Sequence, residues 1–204
     1  SLSRVRGHLA AVYETVRRVR AALEPERALI GFAGAPWTVA CYMAEGGGSR
    51  DFAAPKAWMW RDPASFTALI DMLVEATIEH LSAQIEAGAD CVQLFDSWAG
   101  ILPDAEFRAH VIAPTARIVR GVKRRYAGVR MIGFPRGAGP MLEEYAREAG
   151  VDAVGLDYTM PLEAGRSVQR LVPVQGSLDP VLLLAGGKAM PARIREIRRA
   201  FAGP

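Results

Sequence analysis

The chain has 204 residues, half of them apolar and 23% charged, which suits one globular domain with a substantial core and excludes a disordered or fibrous protein. No apolar run approaches the roughly 20 residues needed to cross a bilayer, so a membrane-spanning helix is not expected. A net charge of +3 and a pI near 9.1 are only mildly basic. No reader motif accompanies the arginines, so nucleic acid is not the expected partner, whereas an anionic small ligand would be drawn to this balance.

The opening Ser-Leu-Ser-Arg-Val-Arg-Gly-His lacks the apolar core of a signal peptide and has no initiator Met, which suggests a processed or excised chain. Apolar positions at helical spacing (Leu9, Val12, Val16, Val19, Leu23) predict a first helix over Val5 to Leu23. A short strand, Ala28 to Phe32, follows. Thr38 to Glu45 and Ala54 to Trp60 read as short helices. Asp62-Pro63 then supplies an N-cap and a first-turn proline for a long helix running to about Glu86. Ala87-Gly88 stops it before a second strand, Cys91 to Phe95.

The second half repeats this alternation: helix Asp104 to Arg125, strand Val129 to Phe134, helix Met141 to Ala149. Strand Val151 to Leu156, helix Leu162 to Arg170, strand Val172 to Gln175 and a last helix over Ala192 to Ala202 complete it. Five continuously apolar strands separated by helices imply parallel pairing with both faces covered. The arginines at positions 17, 18 and 20, at 120, 124 and 125, and at 193, 195, 198 and 199 read as solvated helix faces.

Chemistry concentrates just past the strands, at Gly31 to Phe52, Gln93 to Gly100, Gly133 to Gly139 and Gln175 to Pro180. Polar and glycine-rich groups at the carboxyl ends of successive strands are the pattern of a (β/α)8 barrel, although about 250 residues and eight strands are usual and five are legible here. The expected fold is therefore α/β, a partial (β/α)8 barrel with about five of eight strand-helix units, in a single domain over residues 1–204. No dinucleotide fingerprint follows the first strand, and Ser97 is not in a Gly-x-Ser-x-Gly elbow. Cys41 and Cys91 form no Cys-x-x-Cys or His-x-Cys pair, so no zinc is expected and a reducing cytosol is favoured. His8, His80 and His110 fall in helices and read as surface or packing residues.

In order along the chain, GFAGAPWT and YMAEGGGS, then QLFDSWAG, GFPRGAG, VGLDYT and VQGSLDP resemble the strand-end motifs of the uroporphyrinogen decarboxylase family. The resemblance covers nearly the whole chain. It implies a barrel enzyme, a homodimer in the cytoplasm, that removes four acetate carboxyls from uroporphyrinogen III to give coproporphyrinogen III in haem biosynthesis. No metal or organic cofactor is implied, because the protonated pyrrole serves as the electron sink.

Carried over by motif, Tyr42 is a substrate-binding phenol and Ser97 a carboxylate-binding hydroxyl. Phe32 and Phe95 line the macrocycle cleft, and Gly34 leaves room for the ligand. Each has a plainer reading from local sequence: a helix-packed tyrosine, a turn cap, two core aromatics and a turn glycine. Arg136 suits a propionate, since a guanidinium matches a carboxylate fork, but a salt bridge to a neighbouring loop would explain it equally. Asp96 is expected to be structural, and Asp157 and Asp179 to hold loops through backbone N–H groups.

Three of the family's motifs have no counterpart: an Arg-Gln-Ala-Gly-Arg segment, the strand end with the essential aspartate, and an Asn-Leu-Gly-His-Gly segment. A catalytic residue is therefore expected in none of these positions, and the chain alone is expected to be an inactive fragment with exposed sheet edges. Two other readings are a corrinoid-dependent methyltransferase of the same superfamily and a non-catalytic relative that binds tetrapyrroles. A generic open-sheet anion-binding domain is a weaker third.

Overall fold

The structure, a computed structural model, describes residues 4–203; the first three residues of the opening segment and the final Pro204 lie outside them. The first helix is divided into α1 (Val5–His8) and α2 (Ala10–Ala22), because Leu9 leaves the helical basin at φ −102° and ψ 13°. Gly7, costly inside a helix, weakens that turn.

There follow β1 (Ile30–Gly34), α3 (Pro36–Glu45), α4 (Ala53–Arg61), α5 (Pro63–Glu86) and β2 (Cys91–Asp96). As the Asp62-Pro63 pair predicts, the Asp62 carboxylate accepts a bond from the Ser65 N–H at 3.1 Å and starts α5. The expected Asp104–Arg125 helix is present as α6 (Asp104–Phe107) and α7 (Ala113–Arg125), joined by a π-type turn over Arg108–Ile112. Pro114, with no N–H to give the preceding turn, accounts for the irregularity.

The remaining elements are β3 (Arg130–Pro135), α8 (Leu142–Glu148), β4 (Ala153–Gly155), α9 (Leu162–Gln169), β5 (Val174–Gln175), α10 (Pro180–Ala185) and α11 (Ala189–Ala200). The short α10 was not expected, yet Asp179-Pro180 repeats the logic of Asp62-Pro63. The Asp179 carboxylate accepts from the Val181 N–H at 2.8 Å.

All five strands are parallel and paired in chain order, β1-β2-β3-β4-β5, with Gly34 level with Phe95 and Phe95 level with Phe134. A doubly wound sheet reverses its order so that helices cover both faces. Here the order never reverses, and right-handed crossovers stack the helices on one face. That is the curved wall of a partial (β/α)8 barrel. Among the described residues β1 and β5 are not paired with each other, so the wall does not close.

The helix side is the core. Val92, Leu94, Met131 and Val154 point into it and meet Phe66, Val74, Leu81, Ile118 and Tyr145, all essentially inaccessible. Burying each large apolar side chain there stabilises the fold by about 1.5–3 kcal/mol. The other face is different: Ile30 is 38% and Phe32 61% exposed. The outer edge of β1 is served by a side chain. The Gln84 carboxamide accepts from the Phe32 N–H at 3.0 Å and donates to its carbonyl at 2.8 Å, as a neighbouring strand would. Its nitrogen also lies 3.0 Å from His80 Nε2, and His80 Nδ1 lies 3.1 Å from the Tyr13 hydroxyl. His80 is thus a helix-packing histidine whose burial holds it below its ordinary pKa.

Candidate functional site

The loops after β2, β3 and β4 are fastened to one another by backbone. The Arg136 N–H donates to the Asp96 carbonyl at 3.0 Å, and the Gly100 N–H donates to the Arg136 carbonyl at 3.0 Å. The Gly137 N–H donates to Asp157 Oδ2 at 2.8 Å. Two glycines make this approach possible. A Cβ on Gly100 would lie 2.3 Å from the Gly137 carbonyl oxygen, and Gly137 itself takes φ +73°.

Between the loops lies a groove of about 260 Å³ lined by Ser97, Trp98, Arg136, Asp157, Tyr158 and Thr159 among others. Among the described residues, the Ser97 hydroxyl and the Arg136 guanidinium form no hydrogen bond or ion pair with the protein. The loop salt bridge that would have explained Arg136 is not formed. Asp157 is the opposite case. Its Oδ1 accepts from the Thr159 N–H at 2.9 Å and the Thr159 hydroxyl at 2.5 Å. Burial pushes its carboxyl up, but the Thr159 and Gly137 bonds and the charge of Arg136 outweigh that and hold it below the usual carboxylate range. The groove therefore presents a free cation and a free hydroxyl beside a carboxylate already committed to the backbone.

Asp96 faces the helix side and is fully buried. Desolvation pushes its carboxyl up to about 7, against the opposing bond from the Thr38 hydroxyl at 2.5 Å. Thr38 Oγ1 also accepts from the Trp98 N–H at 3.2 Å, and Trp37 Nε1 donates to the Trp98 carbonyl at 3.0 Å. Asp96 and α3 together thus fix the backbone that carries the Trp98 ring, a scaffold role.

Tyr42, on α3, is 43% exposed, and its hydroxyl has no protein partner among the described residues. Its ring stands edge-on to Phe52 and Trp98, with centroids 6.2 and 6.3 Å away. Tyr42 does not line the Ser97 groove itself; Trp98 is the side chain common to both. On the open face of the sheet Phe32, Phe95 and Phe134 form an edge-to-face row at 5.9 and 5.8 Å. The plainer reading of Phe32 as a core aromatic does not hold at 61% exposure.

Gly34, level with Phe95 and two residues beyond Phe32, takes the open face with them. It also borders a separate hollow of about 570 Å³ lined by Val39, Leu73, Thr77 and His80. A Cβ on Gly34 would meet Val39 Cγ2 at 3.0 Å, so its bareness also serves packing. Sequence reasoning did not single out Trp98 or Phe134 as site residues. Phe134 carried a signal, since it precedes the last residue of β3 as Phe95 precedes the last of β2. His110 packs against Trp37 and Phe66 as a helix-packing residue. Among the described residues no group of three or more His, Cys, Asp or Glu is arranged to hold a metal, and no helix is long and apolar enough to cross a membrane.

Fold and site together define a barrel wall whose unpartnered polar side chains gather beyond the carboxyl ends of its strands. A solved methyltransferase from Methanosarcina mazei has the same fold over 95% of this chain and 56% of its own, with a TM-score of 0.81 at 18% identity. A family model described as Uroporphyrinogen decarboxylase (URO-D) matches residues 1–204. Curated uroporphyrinogen decarboxylases from Novosphingobium aromaticivorans and Rhizorhabdus wittichii are each 54% identical over 203 residues, 99% of this chain. One from Agrobacterium fabrum is 47% identical over 199 residues. The chain belongs to the uroporphyrinogen decarboxylase family. It spans 60% and 59% of the length of the first two relatives.

Proposed function

We propose that these residues form the substrate-binding wall of a uroporphyrinogen decarboxylase, which converts uroporphyrinogen III to coproporphyrinogen III by removing four acetate carboxyls. The observation that carries this reading is the set of polar side chains without protein partners among the described residues, Tyr42, Ser97 and Arg136, beside a partly exposed aromatic row, in a chain whose relatives bear that name. A macrocycle offers a flat apolar ring to Phe32 and Phe95 and a rim of carboxylates to the hydroxyls and the guanidinium. Gly34, on the same face as Phe32 and Phe95, leaves the β1 end bare for the ligand.

In this reaction the bond from each acetate methylene to its carboxylate breaks, carbon dioxide leaves, and the electron pair passes into the protonated pyrrole. A proton then converts the methylene to a methyl group. The residues of this chain bind and orient the ring, and none is assigned a proton. The family's essential aspartate has no counterpart in these 204 residues, so binding without turnover is expected from the chain alone. We place the enzyme in the cytoplasm, as a homodimer, with no metal or organic cofactor.

The test is to incubate the chain with uroporphyrinogen III, follow coproporphyrinogen by chromatography, and titrate it with oxidised uroporphyrin by fluorescence. Saturable binding with no product is the expected pair of results. Turnover at the rate of a complete family enzyme would show that the wall holds the reactive group as well, and absence of binding would remove the tetrapyrrole reading.

A further inference from the structure

Arg136 is held with unusual completeness for a residue whose side chain does nothing within the protein. Its own N–H is bonded to Asp96, its carbonyl to Gly100, and the next N–H to Asp157. Pro135 before it fixes one backbone angle, and Gly100 and Gly137 let the loops close to contact. Twelve other arginines, Arg6, Arg117 and Arg125 among them, spend their charge on carboxylates of this chain. Among the described residues Arg136 spends none, and it lines the same groove as Ser97.

Decarboxylation disperses the negative charge of the group that leaves. A guanidinium paired to that carboxylate stabilises the ground state more than the transition state and slows the step. A carboxylate that stays in the product is the better partner, because binding it favours both states alike.

We propose that Arg136 anchors a carboxylate that the reaction leaves in place, one of the propionates, with Ser97 beside it, and that Asp157 is the positioning residue that holds Arg136 at the groove. This rests on the tetrapyrrole reading above and deepens it. Asp157 acts through the Gly137 N–H and through Thr159, joining the loops after β3 and β4. It is consumed by these bonds and so does not neutralise the guanidinium with a direct ion pair.

Coproporphyrin, which keeps the propionates and lacks the acetates, separates the two kinds of carboxylate. Uroporphyrin and coproporphyrin are titrated by fluorescence into the unaltered chain and into Arg136→Gln, Arg136→Lys and Asp157→Asn, with thermal midpoints measured alongside. Arg136→Gln should weaken both ligands by about tenfold, the loss of one charge-assisted bond. Arg136→Lys should restore part of it, and Asp157→Asn should weaken both rings in the same way. If Arg136→Gln weakens uroporphyrin but leaves coproporphyrin unchanged, the anchored group is an acetate and the proposal is wrong. A lower midpoint for Asp157→Asn with unchanged affinity would reduce that residue to scaffolding. Should Asp157→Asn not fold, the Arg136 variants still decide, since that side chain is exposed and unbonded. If the unaltered chain binds neither ring, the tetrapyrrole reading itself fails, an outcome distinct from all of these.

Discussion

Asp96 shows how one acid can look functional and be architectural. It sits at the end of β2 beside Ser97, but the alternation of the strand turns it to the helix side, where it receives the Thr38 hydroxyl and little else. Its Oδ2 has no partner among the described residues. Because desolvation raises its carboxyl to about 7 in the folded chain, the native state keeps a proton that the unfolded chain releases near 3.8. The sign follows from that order. Stability contributed by this group is complete below about pH 4 and declines as pH rises to about 7. Asp96→Asn cannot titrate, so the drop in thermal midpoint between pH 5 and pH 8 should be smaller in the variant. The difference corresponds to on the order of 1–3 kcal/mol, or several degrees. Comparing both proteins at both pH values cancels His80 and His110, which burial shifts the other way. Equal drops would mean that Asp96 is ionised in the fold.

At the scale of elements, the approach of the loops after β2 and β3 creates the groove, and it depends on Gly100 having no side chain. Gly100→Ala should lower the urea midpoint by an amount equivalent to about 1–3 kcal/mol, because a Cβ would meet backbone that cannot rotate away. An unchanged midpoint would mean the loops stand apart. The five strands were legible in the sequence because each is a short apolar run between helix signals. The ends were less so: β1 extends to Gly34, and β5 keeps only Val174 and Gln175. The break at Leu9 and the turn before Pro114 were hidden inside good apolar spacing, which records a helix face but not its continuity.

The site was legible in the same partial way. Motifs after each strand identify which groups lie near the strand ends, and Ser97 and Arg136 do share one groove. They do not tell that Gly34 also borders a second hollow shared with His80. Nor do they show that Trp98, and not Tyr42, lines that groove while standing edge-on to the Tyr42 ring. The second fact depends on contacts between segments roughly 60 residues apart, beyond the reach of local pattern.

At the scale of the whole molecule, the sequential sheet leaves one face without helices among the described residues, and that face carries Ile30, Phe32, Phe95 and Phe134. A partly exposed aromatic row, bordered by a guanidinium and two hydroxyls that have no partner among the described residues, is suited to a flat ring edged with carboxylates. The most direct measurement is the position of uroporphyrin in a crystal of the chain grown with it. The ring should lie along Phe32 and Phe95, with one propionate at Arg136 and Ser97 and another carboxylate within hydrogen-bond reach of Tyr42. A ring seated instead in the hollow beside Gly34 and His80, or contacting Ser97 while Tyr42 faces only water, would contradict a single site built from these strand ends.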